Sequence, residues 1–468
     1  MPEPSFFTTT GLTVSYPLAD APALQLPALS IEQGERCLIA GATGAGKSTL
    51  LMVLLRLLAD PEVRIEGEAM LLGQPLEQWN PATIGQRTGV VFQSPGDQYL
   101  AARVDEEIAL GLRALGVTEV EIPARVAASL EQAGIIDCIH QAPSTLSGGQ
   151  QQRLMLAAAL ARDPGILILD EPFSQLDPQA ASDLAALLDR LCRERGLTLL
   201  LAEHRTELAL TCVDRVLTLE RGALIADGPC ASIQRPARFA RRNSSVDPST
   251  APPLVTLDRV RVQYPETTTP AFEGSLTIPR VAQIALVGLN GSGKSTLLLL
   301  LAGLLRPKAG AIRWEGKPPR VAFVPQDADV RLLGRTIRED LALSRASQES
   351  IASLTDRLAL PPLDQPPLGS SKGQRQQIAL ASALLEAPDL LLLDEPTTGQ
   401  DRAHIGLLLE LLGSITFPVI VATHDLEVVR ATADWVIVLE AGRVVAQGSP
   451  DHVLASSRKS EAGGERHG

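Results

Sequence analysis

Gly41-Ala42-Thr43-Gly44-Ala45-Gly46-Lys47-Ser48-Thr49 decides the reading of this chain, because the same spacing returns as Gly288-Leu289-Asn290-Gly291-Ser292-Gly293-Lys294-Ser295-Thr296. Both stretches satisfy G-x-x-x-x-G-K-[ST] in full. Glycines let such a loop wrap its backbone N–H groups around a phosphate, and the helix that follows offers its positive N-terminus. A glycine-rich turn can arise once by chance. Two, each followed by the same smaller motifs in the same order, indicate a tandem duplication of a nucleotide-binding unit.

Working outward, each loop is fed by a buried-strand run, Arg36-Cys-Leu-Ile-Ala and Gln283-Ile-Ala-Leu-Val, and is followed by a leucine-rich helix from Ser48 or Ser295. Strand, loop and helix in that order are the context a phosphate loop requires. We therefore expect ATP to be bound by Gly41, Gly44, Gly46, Lys47, Ser48 and Thr49, and by Gly288, Gly291, Gly293, Lys294, Ser295 and Thr296. Lys47 and Lys294 should reach the β- and γ-phosphates, and Ser48 and Ser295 should hold Mg²⁺. Two further apolar runs, Gly165-Ile-Leu-Ile-Leu and Asp389-Leu-Leu-Leu-Leu, suit central strands of a sheet covered on both faces. They end in Leu169-Asp170-Glu171-Pro172 and Leu393-Asp394-Glu395-Pro396. A carboxylate at a strand's C-terminal end sits beside the phosphate loop in this architecture. Asp170 and Asp394 fit support of Mg²⁺, and Glu171 and Glu395 fit polarisation of the attacking water. Asp-Glu-Pro also suits a helix's first turn, but the apolar run before it favours the catalytic reading.

Composition narrows the field. Of the 468 residues 45% are hydrophobic, ample for two packed cores, while aromatics are 3% and net charge is −12. Few aromatics and an acidic balance argue against a nucleic-acid binder. The five cysteines, Cys37, Cys138, Cys192, Cys212 and Cys230, all fall in the first half without C-x-x-C spacing, as expected of reduced, buried thiols. The N-terminus carries no signal-peptide pattern. No apolar run approaches the ~18 residues that span a bilayer, so any work at a membrane would be done by docking on another protein. Between the halves, Pro229 to Pro253 is rich in Arg, Ser and Pro, including Arg235, Arg238, Arg241 and Arg242, and reads as a solvated connector, with contact of its arginines to lipid headgroups as the alternative. Expected boundaries are 5–230 for the first domain, 231–253 for the linker, 254–456 for the second domain and 457–468 for a disordered tail.

The sequence resembles the ATP-binding cassette ATPases, twice over, across all but linker and tail. Leu146-Ser147-Gly148-Gly149-Gln150 matches the family signature, and the helix after it begins Gln151-Gln152-Arg153. The implied fold is α/β, with two tandem P-loop NTPase (ATP-binding cassette) domains, each with a parallel-sheet core, an antiparallel β subdomain and an α-helical signature subdomain. The resemblance also implies roles residue by residue. Ser147, Gly148, Gly149 and Gln150 would approach the γ-phosphate of ATP held by the opposite cassette, as would Ser371, Lys372, Gly373 and Gln374. Gln93 and Gln326 would link nucleotide and Mg²⁺ to a membrane partner. His204 and His424 would contact the γ-phosphate, Asp177 and Asp401 would cross the interface, and Tyr16 and Tyr264 would stack on adenine. A core tyrosine remains an alternative for the last pair.

The second signature departs from the pattern: Ser370-Ser371-Lys372-Gly373-Gln374 has lysine where the first has Gly148. In a head-to-tail pairing within the chain, Lys47, Glu171 and His204 would meet Ser371 and Lys372. Lys294, Glu395 and His424 would meet Ser147, Gly148 and Gly149. Only the second combination is complete by pattern, and we expect it to carry most turnover.

Val91-Phe92-Gln93-Ser94-Pro95-Gly96-Asp97-Gln98-Tyr99, continued by Val104-Asp-Glu-Glu-Ile-Ala-Leu-Gly111, is similar to the cassettes of energy-coupling-factor importers of vitamins and transition-metal ions. That likeness implies an ATPase on the cytoplasmic face of the cell membrane. It would dock on a transmembrane coupling protein that serves a substrate-binding membrane subunit. A fused ATPase of a sugar-type importer and a soluble twin-cassette protein acting on ribosomes are the alternatives. The latter usually carries a long, charged, helical linker that is not seen here.

Overall fold

The computed structural model describes residues 5–454, apart from 18–20, 59, 94, 175, 205, 233–238, 242–247, 266–268 and 399. The expected tail, linker residues Arg235, Arg238 and Arg242, and the loop residues Gln175 and Gly399 lie outside the described residues. The chain divides into two compact units, Met1–Pro236 and Ala237–Gly468.

The first unit runs β1 (Phe7–Ser15), β2 (Leu24–Ile31), β3 (Arg36–Ala40), α1 (Lys47–Leu54), β4 (Arg64–Leu71), β5 (Gln74–Pro75), α2 (Pro81–Arg87), β6 (Thr88–Val91), α3 (Val104–Ala114), α4 (Ile122–Ala133), α5 (Gly148–Leu160), β7 (Ile166–Asp170), α6 (Pro178–Arg195), β8 (Thr198–Glu203), α7 (Thr206–Ala209), β9 (Arg215–Glu220) and β10 (Ala223–Pro229). The second runs β11 (Pro253–Val262), β12 (Phe272–Pro279), β13 (Gln283–Val287), α8 (Lys294–Leu301), β14 (Ala309–Trp314), β15 (Val321–Val324), α9 (Ile337–Ala342), α10 (Gln348–Arg357), α11 (Lys372–Leu385), β16 (Leu390–Asp394), α12 (Arg402–Ser414), β17 (Val419–Thr423), α13 (Leu426–Thr432), β18 (Trp435–Glu440) and β19 (Arg443–Gly448).

Strands β6, β7, β8, β3 and β9 pair in parallel to form the first core, and β15, β16, β17, β13 and β18 repeat the order in the second. Such strands are buried on both faces, which explains the unbroken apolar runs. In β3, Cys37 and Ile39 join one core cluster while Leu38 and Ala40 join the other, as a period of two requires. The antiparallel pairs β1–β2 and β1–β4 continue the first unit's ten-stranded sheet through the β2–β10 pairing, whereas β11–β12 and β11–β14 form a separate three-stranded sheet in the second unit. The helices α3 to α5 pack into the cluster that contains Val104, Leu130 and Leu154. Each fully buried leucine of this kind is worth about 1.5–3 kcal/mol of transfer free energy.

All five cysteines are free, and four are buried. Burial pushes the thiols of Cys192 and Cys212 up to about 12, which keeps them protonated. The linker is not wholly solvated. Phe239 lies under the Arg402 guanidinium, 4.2 Å from carbon to ring centroid, and its N–H donates to Glu427 at 3.0 Å. Arg241 pairs with Asp451 at 2.9 Å. Phe239 and Arg241 thus find a guanidinium and carboxylates within the second unit, which composition alone did not show.

Candidate functional site: two phosphate loops and their acidic partners

Each phosphate loop joins a central strand to a helix N-terminus, β3 to α1 and β13 to α8. Gly46 and Gly293 cap these helices in the left-handed region, at φ 98° and 100°. A Cβ on either would lie within 2.6 Å of a neighbouring carbonyl, that of Ala23 or Ala271. Glycine is therefore required by the surrounding chain as well as by close approach to a phosphate.

The lysines fold back over their own loops. Lys47 Nζ donates to Gly41 O at 2.8 Å and Ala42 O at 3.0 Å, and Lys294 Nζ to Gly288 O at 2.7 Å and Leu289 O at 3.2 Å. Both ammonium groups are buried, 3.6 Å from Glu171 and 3.3 Å from Glu395. Ser48 Oγ donates to Asp170 at 2.8 Å, and Ser295 bonds Asp394 likewise. Burial pushes both aspartates above the usual carboxylate range, with the adjacent glutamate adding to the effect and the serine and lysine opposing it. One oxygen of each, Oδ1, is buried without a hydrogen-bond partner among the described residues. A buried, uncompensated carboxylate oxygen beside a serine hydroxyl is what a hard cation satisfies, so these residues fit Mg²⁺.

Glu171 and Glu395 stand one residue further on, at φ 48° and 47°, a strained conformation for a non-glycine residue. The turn is anchored by their N–H groups, which donate to Ala202 O and Ala422 O at 2.8 Å. Burial raises both carboxyls, but the adjacent histidine and lysine outweigh it and hold them below the usual range. His204 Nδ1 lies 3.4 Å from Glu171, and His424 Nδ1 2.9 Å from Glu395. Both ring nitrogens of each histidine are buried with no hydrogen-bond partner among the described residues. Gln93 Nε2 donates to Glu171 at 2.7 Å, whereas Gln326 is exposed. Tyr16 Oη approaches Thr49 at 3.4 Å and Tyr264 Oη approaches Thr296 at 3.3 Å, which sets both rings beside their loops.

The signatures lie at the starts of α5 and α11. Ser147 and Ser371 are N-caps in full capping boxes with Gln150 and Gln374. The helix includes Gly148 and Gly149, earlier than the Gln151 start read from sequence, because the serine cap closes the first turn. Each box uses the glutamine N–H and the serine N–H, which leaves the serine hydroxyl proton and the N–H groups of the two residues between them outside the cap. Lys372 occupies the first helical position and is exposed. Asp177 and Asp401 cap α6 and α12, bonding the N–H of Ala180 and of His404 at 2.9 Å each.

One residue escaped sequence reading. Glu203 is fully buried at the end of β8, and its Oε1 lies 3.2 Å from His204 Nδ1. Its counterpart in the second unit is Thr423. The signal was available in the contrast between Ala202-Glu203-His204 and Ala422-Thr423-His424.

Two doubly covered parallel sheets, each with a phosphate loop, an acidic strand end, a following histidine and a signature helix, define a tandem ATP-binding cassette ATPase. The family model described as ABC transporter matches residues 24–174 and 273–398, and the chain belongs to that family. A Methanosarcina acetivorans protein, provisionally named an ABC transporter ATP-binding protein, is 32% identical over 97% of this chain and 87% of its own length. A Bacillus subtilis protein, provisionally named an HMP/thiamine import ATP-binding protein, is 30% identical over 96% of this chain and 92% of its own. Among solved structures, ribosome-bound archaeal Pelota and ABCE1 includes a chain that superposes with a TM-score of 0.70 at 22% identity, covering 95% of this chain and 80% of that one. At that identity the likeness shows the fold alone.

Proposed function

We propose that this chain is the ATP-hydrolysing subunit of a membrane importer of the energy-coupling-factor type, carrying a vitamin or a transition-metal ion. A transmembrane coupling protein and a substrate-binding membrane subunit would be its partners. It would sit at the cytoplasmic face of the cell membrane. The name of the B. subtilis relative, which concerns import of a vitamin and its precursor, is consistent with that class.

The observation that carries this reading is a built apolar surface beside Gln93. Gln98 clasps the backbone of Phe92 from both sides, accepting from its N–H at 3.1 Å and donating to its carbonyl at 2.9 Å. The next loop displays Leu100 at 82% exposure, while Glu107 accepts from the N–H groups of Leu100 and Ala101, both at 2.8 Å. The second unit repeats the device. Leu333 is 78% exposed, and Asp340 accepts from Leu333 and Gly334 at 2.7 and 2.9 Å. Large exposed apolar side chains on stiffened loops mark a protein-docking face. Arg331 takes the place of Gln98 there, bonding Phe323 O at 3.0 Å.

In the proposed cycle Lys47 and Lys294 orient the phosphates of ATP, Glu171 and Glu395 orient the attacking water, and His204 and His424 meet the γ-phosphate. Ser48 with Asp170 and Gln93, and Ser295 with Asp394 and Gln326, would hold Mg²⁺, which neutralises charge on the phosphoryl oxygens when bound. ATP would pair the cassettes, with Asp177 and Asp401 at the seam, and hydrolysis would release them. The docked membrane protein would shift between two states in step. The full chain should co-purify with detergent-solubilised membrane proteins. Co-sedimentation with ribosomes instead would overturn the importer reading. Lys47→Ala combined with Lys294→Ala should abolish ATPase activity, and retained activity would overturn the site.

A further inference from the structure

The connector is fastened to the second unit well before that unit's first strand. Just past β10, Cys230 N–H donates to Asp214 O at 2.8 Å and so stays with the first unit. Phe239 belongs to the second unit, which starts at Ala237. Its N–H donates to Glu427 at 3.0 Å, and its ring lies under the Arg402 guanidinium, 4.2 Å from carbon to centroid. The ring also lies against α12, since a Cβ on Gly406 would stand 3.8 Å from it. Arg402 and Glu427 pair at 2.8 Å, which ties the first turns of α12 and α13 together where Phe239 meets them. Two residues on, Arg241 pairs with Asp451 at 2.9 Å.

The receiving residues are particular to the second unit. Arg402 opens α12 directly after the cap Asp401, whereas Pro178 opens α6 after the cap Asp177, and Gly406 answers to Ser182. A cation over the ring face and a charge-assisted bond at the backbone make the hold directional. Because β11 begins only at Pro253, the count of residues joining the units falls from twenty-two (231–252) to eight (231–238) once Phe239 is held. Two modules on one chain meet at an effective concentration that falls roughly as the −3/2 power of linker length. We propose that Phe239, clasped by Arg402 and Glu427, is a strap that shortens the working tether between the cassettes and raises the effective concentration at which ATP draws them together. This rests on the reading that ATP pairs the two cassettes of one chain. Residues between Arg241 and Pro253 come after the strap, so they do not lengthen the tether.

The test places one insertion on either side of the strap in the full-length chain and leaves every native residue in place. An insert of roughly sixteen Gly/Ser residues between Pro236 and Ala237 triples the tether and should raise half-saturating ATP for steady-state turnover about two- to fivefold. The same insert between Ser245 and Val246 should leave half-saturating ATP at the wild-type value. It should raise that value only when Phe239→Ala and Arg241→Ala have released the strap. Equal effects of the two inserts in the otherwise wild-type chain, or no effect of the first, would overturn the proposal. The underlying reading has its own check. Wild-type turnover per chain should not depend on protein concentration, and a rise with concentration would overturn pairing within one chain. The strap is then judged without turnover, by hydrogen exchange at the Phe239 amide. That amide should be protected in the wild type and lose protection in Arg402→Ala; an unprotected wild-type amide would overturn the strap even if Arg402→Ala does not fold.

Discussion

Gly46 shows how much one residue carries. Its φ of 98° and the carbonyl of Ala23 beside it exclude a side chain. Gly46→Ala is expected to destabilise the first unit by more than about 1 kcal/mol, and to lose nucleotide binding at that loop, measured by chemical denaturation and by ATP titration. The phosphate-loop residues and Asp170-Glu171 were legible in sequence because their chemistry is local and their spacing fixed. Glu203 was not, because its meaning depends on complete burial and on a ring brought to it at the end of β8. The left-handed backbone at Glu171 and Glu395 was equally invisible, since it follows from a tertiary bond to Ala202 or Ala422 rather than from residue type.

Among the elements, the signature helices teach most. A serine and a glutamine three residues apart form a capping box, so part of the signature is helix-start chemistry. Ser147→Ala should cost about 1 kcal/mol in addition to any loss of activity, and urea denaturation measures the first part separately. The cap of α12 differs from that of α6. His404 Nδ1 sits 2.8 Å from Asp401, and that bond raises the imidazole above its ordinary value. A raised histidine contributes stability that is fully present below its unfolded pKa, about 6.5, and is lost as pH rises through the folded value. The difference in melting temperature between wild type and His404→Ala should therefore shrink on going from pH 6 to pH 8. A gap that widens would reject this assignment of the pair. The sequence located α5 but not its first turn, since the pair Gly148-Gly149 reads as a loop until the cap is seen. It also gave no sign of Phe239 packing on α12, a contact made across long separation.

For the whole molecule, duplication with divergence is the theme. Both units repeat the same parallel order, yet they differ at Gly148 against Lys372, at Glu203 against Thr423 and at Gln98 against Arg331. Lys372 puts a long cation at the first position of a helix whose N-terminus is already positive. Electrostatics there favours holding an anion, while the lost glycine removes close backbone approach. The cassette sequence makes the duplication legible at a glance, but the consequence of each difference needed burial and distance. We propose above all that the two ATP sites are shared between cassettes and unequal, with Lys294, Glu395 and His424 completed by the intact signature at Ser147. ATPase turnover of the assembled transporter carrying Glu395→Gln, set beside that of Glu171→Gln, tests it most directly. We predict the larger loss from Glu395→Gln; a larger loss from Glu171→Gln would contradict the account.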